Sequence, residues 1–299
     1  MQIHTVGIVG GGTMGGGIAI LTAKANLPTI LVEKTQELAD AALERITREI
    51  DVQIARWAMT ESEKRLVLKN LQIGKKLDLA KDVDLVISAV PDDLNLKKQI
   101  FGQLEAMCQT HTIFSTITSV LSITELATAL TRPEQMIGLH FMSLVLKAKL
   151  VEIVRGVKTS QKTYETSKAF IHKLGKIGIE VFESPGFVTT RLIAPLINEA
   201  MYVLMERVAS AEDIETAMRF GYNMPMGPLE LADRIGLDTL LNLMNHLFRE
   251  TGELKFRPCP LLKKFVRAQY LGVKTGEGFF KYDLETEQRQ PFFVHRELL

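Results

Sequence analysis

The sequence predicts an α/β fold, a Rossmann-type, mostly parallel sheet domain followed by an all-α C-terminal domain. Three observations predict it. Short apolar runs alternate with segments of helical period as far as residue 182, the signature of a parallel sheet with helices on both faces. A glycine cluster, Gly10-Gly11-Gly12 and then Gly15, stands between the first apolar run and the first helix. After Ser184-Pro185-Gly186 the pattern is helical throughout. These place a boundary near Ser184, with domains over 1–184 and 185–299.

The elements follow in order. Val6–Val9 is a buried strand, Thr13 starts a helix, and Thr29–Val32 is the second strand, ending at Glu33. Glu37–Trp57 carries Ala, Leu and Ile at helical spacing, and the lone Trp57 is read as a packing residue. Thr60-Glu61-Ser62-Glu63 resembles a capping box opening a helix to about Leu71. Val83–Val90 is a continuous apolar strand stopped by Pro91, and Asp92 and Asp93 lead a helix over Leu94–Met107. Thr112–Ser115 is a strand and Ser122–Leu130 a helix. Met136–Phe141 and Lys149–Val154 are strands joined by the loop Met142–Ala148. Gln161–Leu174 is a helix and Ile177–Phe182 the last strand. Helices then run over Phe187–Arg207, Ala211–Phe220, Gly227–Ile235, Leu237–Thr251 and Leu261–Ala268, with Ser210 and Asp238 in cap or first-turn positions. The tail from Asp283, with Phe292 and Phe293, is read as docking on another surface.

Composition narrows the function classes. With 46% hydrophobic and 24% charged residues the chain suits a soluble globular protein with a large core. A net charge of +1 and the lack of any basic-aromatic stripe speak against nucleic acid. No apolar run reaches the length of a membrane span, so no membrane partner is expected. Cys108 and Cys259 lie far apart in sequence, which suits a reducing compartment, and the chain is read as cytoplasmic.

Gly10, Gly12 and Gly15 fit G-x-G-x-x-G in its required context, after a strand and before a helix. The first glycine permits a tight turn, the second lets a pyrophosphate approach the backbone, and the third lets helix and strand pack closely. The helix N-terminus offers N–H groups and partial positive charge to phosphate. Glu33 follows at about the 20-residue spacing of a ribose-reading carboxylate. The reading is an NAD site, with Glu33 repelling the extra phosphate of NADP. In such sheets the ligand crevice lies beyond the carboxyl ends of the strands, where Asp92, the Thr116–Ser119 turn and the segment after Leu139 gather.

A nicotinamide enzyme acting on an alcohol needs a general base, and histidine titrates near neutrality. Of six histidines, only His140 ends a strand on the crevice side. If the strands joined by Met142–Ala148 are antiparallel, Glu152 faces His140 and can orient the imidazole and stabilise the imidazolium. The alternative is a strand-end histidine with a surface glutamate. Ser119 either hydrogen-bonds a substrate oxygen or simply ends its strand.

These stretches resemble the short-chain L-3-hydroxyacyl-CoA dehydrogenases, including the 3-hydroxybutyryl-CoA dehydrogenases, over nearly the whole chain. The motifs are GIVGGGTMGGGIA, Gly138-Leu139-His140-Phe141 with Lys149-Leu150-Val151-Glu152, Pro185-Gly186-Phe187-Val188, the run from Ala209, and Lys274-Thr275-Gly276-Glu277-Gly278-Phe279. The resemblance implies that His140 takes the hydroxyl proton while C3 gives its hydride to NAD, with Glu152 supporting the histidine. It implies substrate contacts at Ser119 and Thr190. It implies cofactor contacts at Gly10, Gly12, Thr13, Met14, Gly15, Glu33, Asp92, Lys97, Ser119, Ser143 and Lys274. A homodimer through the helical domain is implied as well. The chain departs from the family pattern: Ile117, Ser143 and Thr190 stand where it has asparagines, Leu144 and Leu146 replace its prolines, and Asp92 replaces the usual glutamate. Three readings follow: the ordinary 3-hydroxyacyl-CoA reaction, a biosynthetic relative acting on another hydroxyacyl group carried by CoA or a carrier protein, and an NAD-binding homologue of low activity. A lysine-based 3-hydroxyacid dehydrogenase is disfavoured, because no lysine lies between Phe187 and Arg207.

Overall fold

The computed structural model describes residues 2–143, 145–284 and 286–290. The chain divides into two compact units, residues 1–187 and 188–299.

The first unit is built on one eight-stranded sheet in the order β3-β2-β1-β4-β5-β6-β7-β8. The strands are β1 (Val6–Val9), β2 (Thr29–Val32), β3 (Leu71–Gly74), β4 (Leu85–Ser88), β5 (Ile113–Thr116), β6 (Met136–Phe141), β7 (Leu150–Arg155) and β8 (Ile177–Phe182). All neighbours pair in parallel except β6 and β7. The helices are α1 (Thr13–Lys24), α2 (Gln36–Ala55), α3 (Glu61–Asn70), α4 (Leu94–Met107), α5 (Ile123–Ala127) and α6 (Gln161–Lys173). Two-residue alternation splits the core: Ile8, Leu31, Ile87, Leu139 and Ile153 bury on one face, and Val9, Val32, Val86, Met136 and Val154 on the other. A sheet apolar on both faces must carry helices on both. The register pairs Val9 with Val32 and Ser88, Ser88 with Thr116, and Thr116 with Gly138. The glycine turn, the segment after Ser88, the Thr116–Ser119 turn and the end of β6 thus follow one edge of the sheet.

Several expected elements are corrected. Leu71–Gly74 is a strand that the preceding helix pattern concealed; its half-buried edge position left only four residues and weak alternation. The strand expected over Val83–Val90 is confined to Leu85–Ser88, and the helix expected over Ser122–Leu130 to Ile123–Ala127, capped by Ser122. Trp57 is not a packing residue: it lies past the end of α2 at φ +58° and is 97% exposed. The Thr60 capping box is present, closed from both sides by Thr60 and Glu63.

The second unit holds α7 (Thr189–Met205), α8 (Ala211–Gly221), α9 (Pro228–Ile235), α10 (Leu237–Thr251) and α11 (Pro260–Arg267) around Ile197, Met201, Leu240, Met244, Leu247, Phe265 and Phe280. It is not helical throughout. Isolated bridges join Gly272 to Glu277, Glu277 to Lys281 and Tyr282 to Arg289. Asp233 organises this turn: its carboxylate accepts from the N–H groups of Phe279 (2.9 Å) and Phe280 (3.0 Å) and from the Tyr282 hydroxyl (3.0 Å). The described part of the tail does dock, through Arg289, which pairs with Glu212 and Glu230 and lies over the Phe280 ring. Phe292, Phe293 and His295 lie outside the described residues.

Candidate active site

The glycine turn fits a dinucleotide. Gly10 sits at φ +99°, and a Cβ on Gly15 would meet the Gly10 carbonyl oxygen at 1.9 Å, so both positions exclude side chains. Gly12 differs, because a Cβ there would meet nothing within 4 Å and would project into open space, the side from which a pyrophosphate approaches. Among the described residues no side chain caps the N-terminus of α1, and no acidic residue lies in its first turn. Its leading N–H groups and dipole therefore suit an anion. Thr13 and Met14 open that helix beside Gly12.

Glu33 stands just beyond β2, where one carboxylate oxygen accepts from Gly11 N–H at 2.5 Å. Arg45, on α2, donates to the Gly11 carbonyl. A Cβ on Gly11 would lie 2.7 Å from the Ala42 side chain. The Gly11 peptide is thus gripped on both sides, and α2 packs onto it. Gly11 and Arg45 were not singled out from the sequence. The motif treats the second position as arbitrary, and an arginine on an amphipathic helix reads as a solvated residue.

Beyond β4, Lys97 is completely buried on α4; its ammonium donates to the Val90 carbonyl at 2.8 Å and lies 3.3 Å from the Asp92 carboxylate. Burial lowers the Lys97 pKa, against the opposing pull of Asp92. Asp92 and Lys97, each expected as a cofactor contact, thus lie against each other. Beyond β5, Thr118 shapes the turn: its hydroxyl accepts from the N–H groups of Val120 (3.2 Å) and Leu121 (3.0 Å), leaving Ser119 half-buried at the apex. The pattern of hydroxyl residue followed by a backbone turn was the available signal for Thr118.

The β6–β7 pair brings the candidate acid–base residues together. The strands are antiparallel, and the register sets His140 directly opposite Glu152. Both lie on the sheet face that carries Met136 and Val154, because side chains two apart share a face. His140 Nδ1 and Glu152 Oε2 are 2.6 Å apart. A carboxylate only accepts, so Nδ1 carries the proton and Nε2 is left to meet an external hydroxyl. Glu152 is fully buried, which rules out the surface-glutamate reading. The Phe187 ring packs beside the imidazole, with centroids 5.6 Å apart. Ser143 is exposed in the loop after β6.

Two expected site residues belong to the second unit. Thr190 is buried in the first turn of α7, and Lys274 bonds the Asp238 carboxylate at 2.5 and 2.6 Å.

Comparison with known families decides the identity. Residues 5–184 match the NAD-binding domain of the 3-hydroxyacyl-CoA dehydrogenases and residues 186–282 match their C-terminal domain. The chain belongs to this family. A protein of Bacillus subtilis described as a probable 3-hydroxybutyryl-CoA dehydrogenase is 41% identical over 286 residues, covering 96% of this chain and all of that one. The human mitochondrial hydroxyacyl-coenzyme A dehydrogenase is 38% identical, covering 94% of this chain and 91% of its own. The crystal structure of the (S)-3-hydroxybutyryl-CoA dehydrogenase of Ralstonia eutropha superposes with a TM-score of 0.88 at 40% identity, covering 94% of this chain and all of that one. As a member of the 3-hydroxyacyl-CoA dehydrogenase family the chain is an NAD-dependent oxidoreductase, and the glycine turn and Glu33 are the parts of its fold suited to NAD.

Proposed function

We propose that the chain interconverts a 3-hydroxyacyl-CoA and its 3-oxoacyl-CoA, with His140 as general acid and base and Glu152 as its support. The observation that carries this reading is the buried 2.6 Å pair between His140 Nδ1 and Glu152, set at the ligand edge of a dinucleotide-binding sheet. When bound, NAD supplies the hydride acceptor for C3. His140 Nε2 takes the C3 hydroxyl proton in oxidation and returns it in reduction. Glu152 accepts from Nδ1–H in both directions, so it fixes the ring orientation and offsets the positive charge of the imidazolium. Ser119 donates to the C3 oxygen, and Thr190 is a further substrate contact.

Toward the cofactor, Gly10, Gly12, Thr13, Met14 and Gly15 present backbone to the pyrophosphate. Glu33 binds the ribose hydroxyls, and Asp92, Lys97, Ser143 and Lys274 complete the cofactor set. A 2′-phosphate beside Glu33 sets like charges together, so NADPH is expected to be at least about tenfold poorer than NADH in kcat/KM, a difference of about 1.4 kcal/mol. The chain is read as a homodimer through its helical unit: Leu192 and Leu196, one turn apart on α7, are both exposed apolar residues. Light scattering during size exclusion measures the mass directly.

The deciding test is NADH oxidation with acetoacetyl-CoA by the wild type and by His140→Ala. Loss of a general acid–base is expected to lower kcat by about 10²–10⁴-fold with NADH binding retained. Equal turnover in the two proteins would overturn the assignment. A wild type that is inactive on acetoacetyl-CoA, yet active on a carrier-linked or otherwise altered hydroxyacyl substrate, would move the reaction to that substrate.

A further inference from the structure

Lys176 lies between α6 and β8 and is only 6% exposed. Its ammonium donates to two backbone carbonyls, those of Val145 (2.6 Å) and Ala148 (2.5 Å). Both belong to the loop over residues 142–148, which leaves the strand of His140 and returns on the strand of Glu152. Among the described residues Lys176 has no carboxylate partner, and burial lowers its pKa. A buried cation held by neutral dipoles is costly where only packing is required, since an apolar side chain of similar length would fill the same volume.

The loop explains what the cation provides. Met142–Ala148 contains neither proline nor glycine, so no residue in it pre-sets a turn. The segment is instead held from outside, on two sides. Val145 is buried against α1, so closely that a Cβ on Gly17 would lie 3.2 Å from the Val145 Cβ. Lys176 holds the backbone on the other side, taking two carbonyls three residues apart with two of its three donors. Through these two grips the loop that carries Ser143 is tied both to the helix that opens at the glycine turn and to the entry of β8, the strand that pairs with the strand of Glu152.

We propose that Lys176 is a positioning residue of the dehydrogenase reaction: by bonding the Val145 and Ala148 carbonyls it sets where the 142–148 loop carries Ser143 relative to His140 and α1. The proposal rests on His140 being the acid and base of a 3-hydroxyacyl-CoA reaction. Displacing a positioning element by about 1 Å can cost on the order of 10² in rate.

The test compares Lys176→Met, Lys176→Gln and Lys176→Arg with the wild type and His140→Ala, all as the intact chain, well below their melting temperatures. Methionine removes both bonds, glutamine is too short to keep the pair, and arginine retains donors for two carbonyls. In the protein without cofactor, Lys176→Met is expected to speed amide exchange across 142–148 while β6 and β7 stay protected. With NADH and acetoacetyl-CoA its kcat is expected to fall about 10²-fold with KM for the thioester little changed. The primary isotope effect with 4-deuterated NADH is expected to rise, as hydride transfer becomes rate-limiting. Lys176→Arg is expected to recover most of the rate. A folded Lys176→Met with wild-type kcat and isotope effect would overturn the proposal. If methionine prevents folding, the same result with Lys176→Gln overturns it. His140→Ala separates the two failures: wild-type turnover there removes the reaction assignment itself, whereas an inactive His140→Ala beside fully active Lys176 variants removes only the role of Lys176.

Discussion

Glu152 in the first unit and Asp233 in the second are both carboxylates with almost no exposure, and they are satisfied in different ways. Glu152 faces an imidazole, a partner that can itself take up and release a proton. Asp233 is met by two peptide N–H groups and a phenol, donors that stay neutral at ordinary pH. Burial pushes the Asp233 pKa up to about 7, because the lost hydration outweighs the three donors and the nearby Glu215 carboxylate adds to the rise. A buried carboxylate can thus be met by a group that itself titrates or by donors that stay neutral. Burial alone does not separate the two.

The comparison breaks first at Glu152. Glu152→Gln keeps the shape and removes the charge that supports the imidazolium. It is expected to lower kcat by about 10²–10⁴-fold in a protein that still folds, as measured with acetoacetyl-CoA and NADH. A folded variant with wild-type kcat would make Glu152 as architectural as Asp233.

A smaller effect sharpens the other half. Between the ordinary aspartate value and about 7, native Asp233 holds a proton that the unfolded chain has released. Its contribution to stability is therefore complete at low pH and is lost as pH rises through about 7. Asp233→Asn removes this dependence. Denaturant titrations at about pH 4 and pH 8 are expected to differ less for the variant than for the wild type, by on the order of a few kcal/mol. An unchanged slope would show that the carboxylate stays ionised throughout.

The glycine turn repeats the contrast at lower cost. Gly11 is closed in by Ala42, so Gly11→Ala overpacks α2 and is expected to destabilise by about 1–3 kcal/mol in thermal or denaturant melts. Gly12 faces open space at φ −61°, so Gly12→Ala is expected to leave stability within about 0.5 kcal/mol. NADH affinity, followed by fluorescence titration, is expected to weaken by about tenfold, or 1.4 kcal/mol. Neighbouring glycines would then report separately on packing and on binding.

Which features were legible follows from the range of the interactions that make them. Runs such as Leu85–Ser88 and the capping box at Thr60 are local, and periodicity and spacing reveal them. The pairing of His140 with Glu152 could be read because the two strands form a hairpin, and a hairpin fixes which residues can face each other. The strand Leu71–Gly74 was hidden because four residues, three half-buried and Gln72 exposed, carry too little alternation. The grips of Arg45 on Gly11 and of Lys176 on the 142–148 loop join residues about 30 apart through backbone carbonyls, and a carbonyl leaves no mark on residue type. The solvent-facing Trp57 and the Asp233-centred turn follow from tertiary placement as well.

The hairpin has one more consequence. Shifting β7 by a single residue against β6 would turn every one of its side chains to the opposite face. Val151 and Ile153 would leave one core layer as Glu152 left its partner. With the acid–base role proposed for that pair, a misaligned chain is expected to be catalytically silent as well as poorly packed. Turnover per mole recovered after refolding therefore acts as an assay of conformational fidelity, counting only molecules whose strands have met correctly.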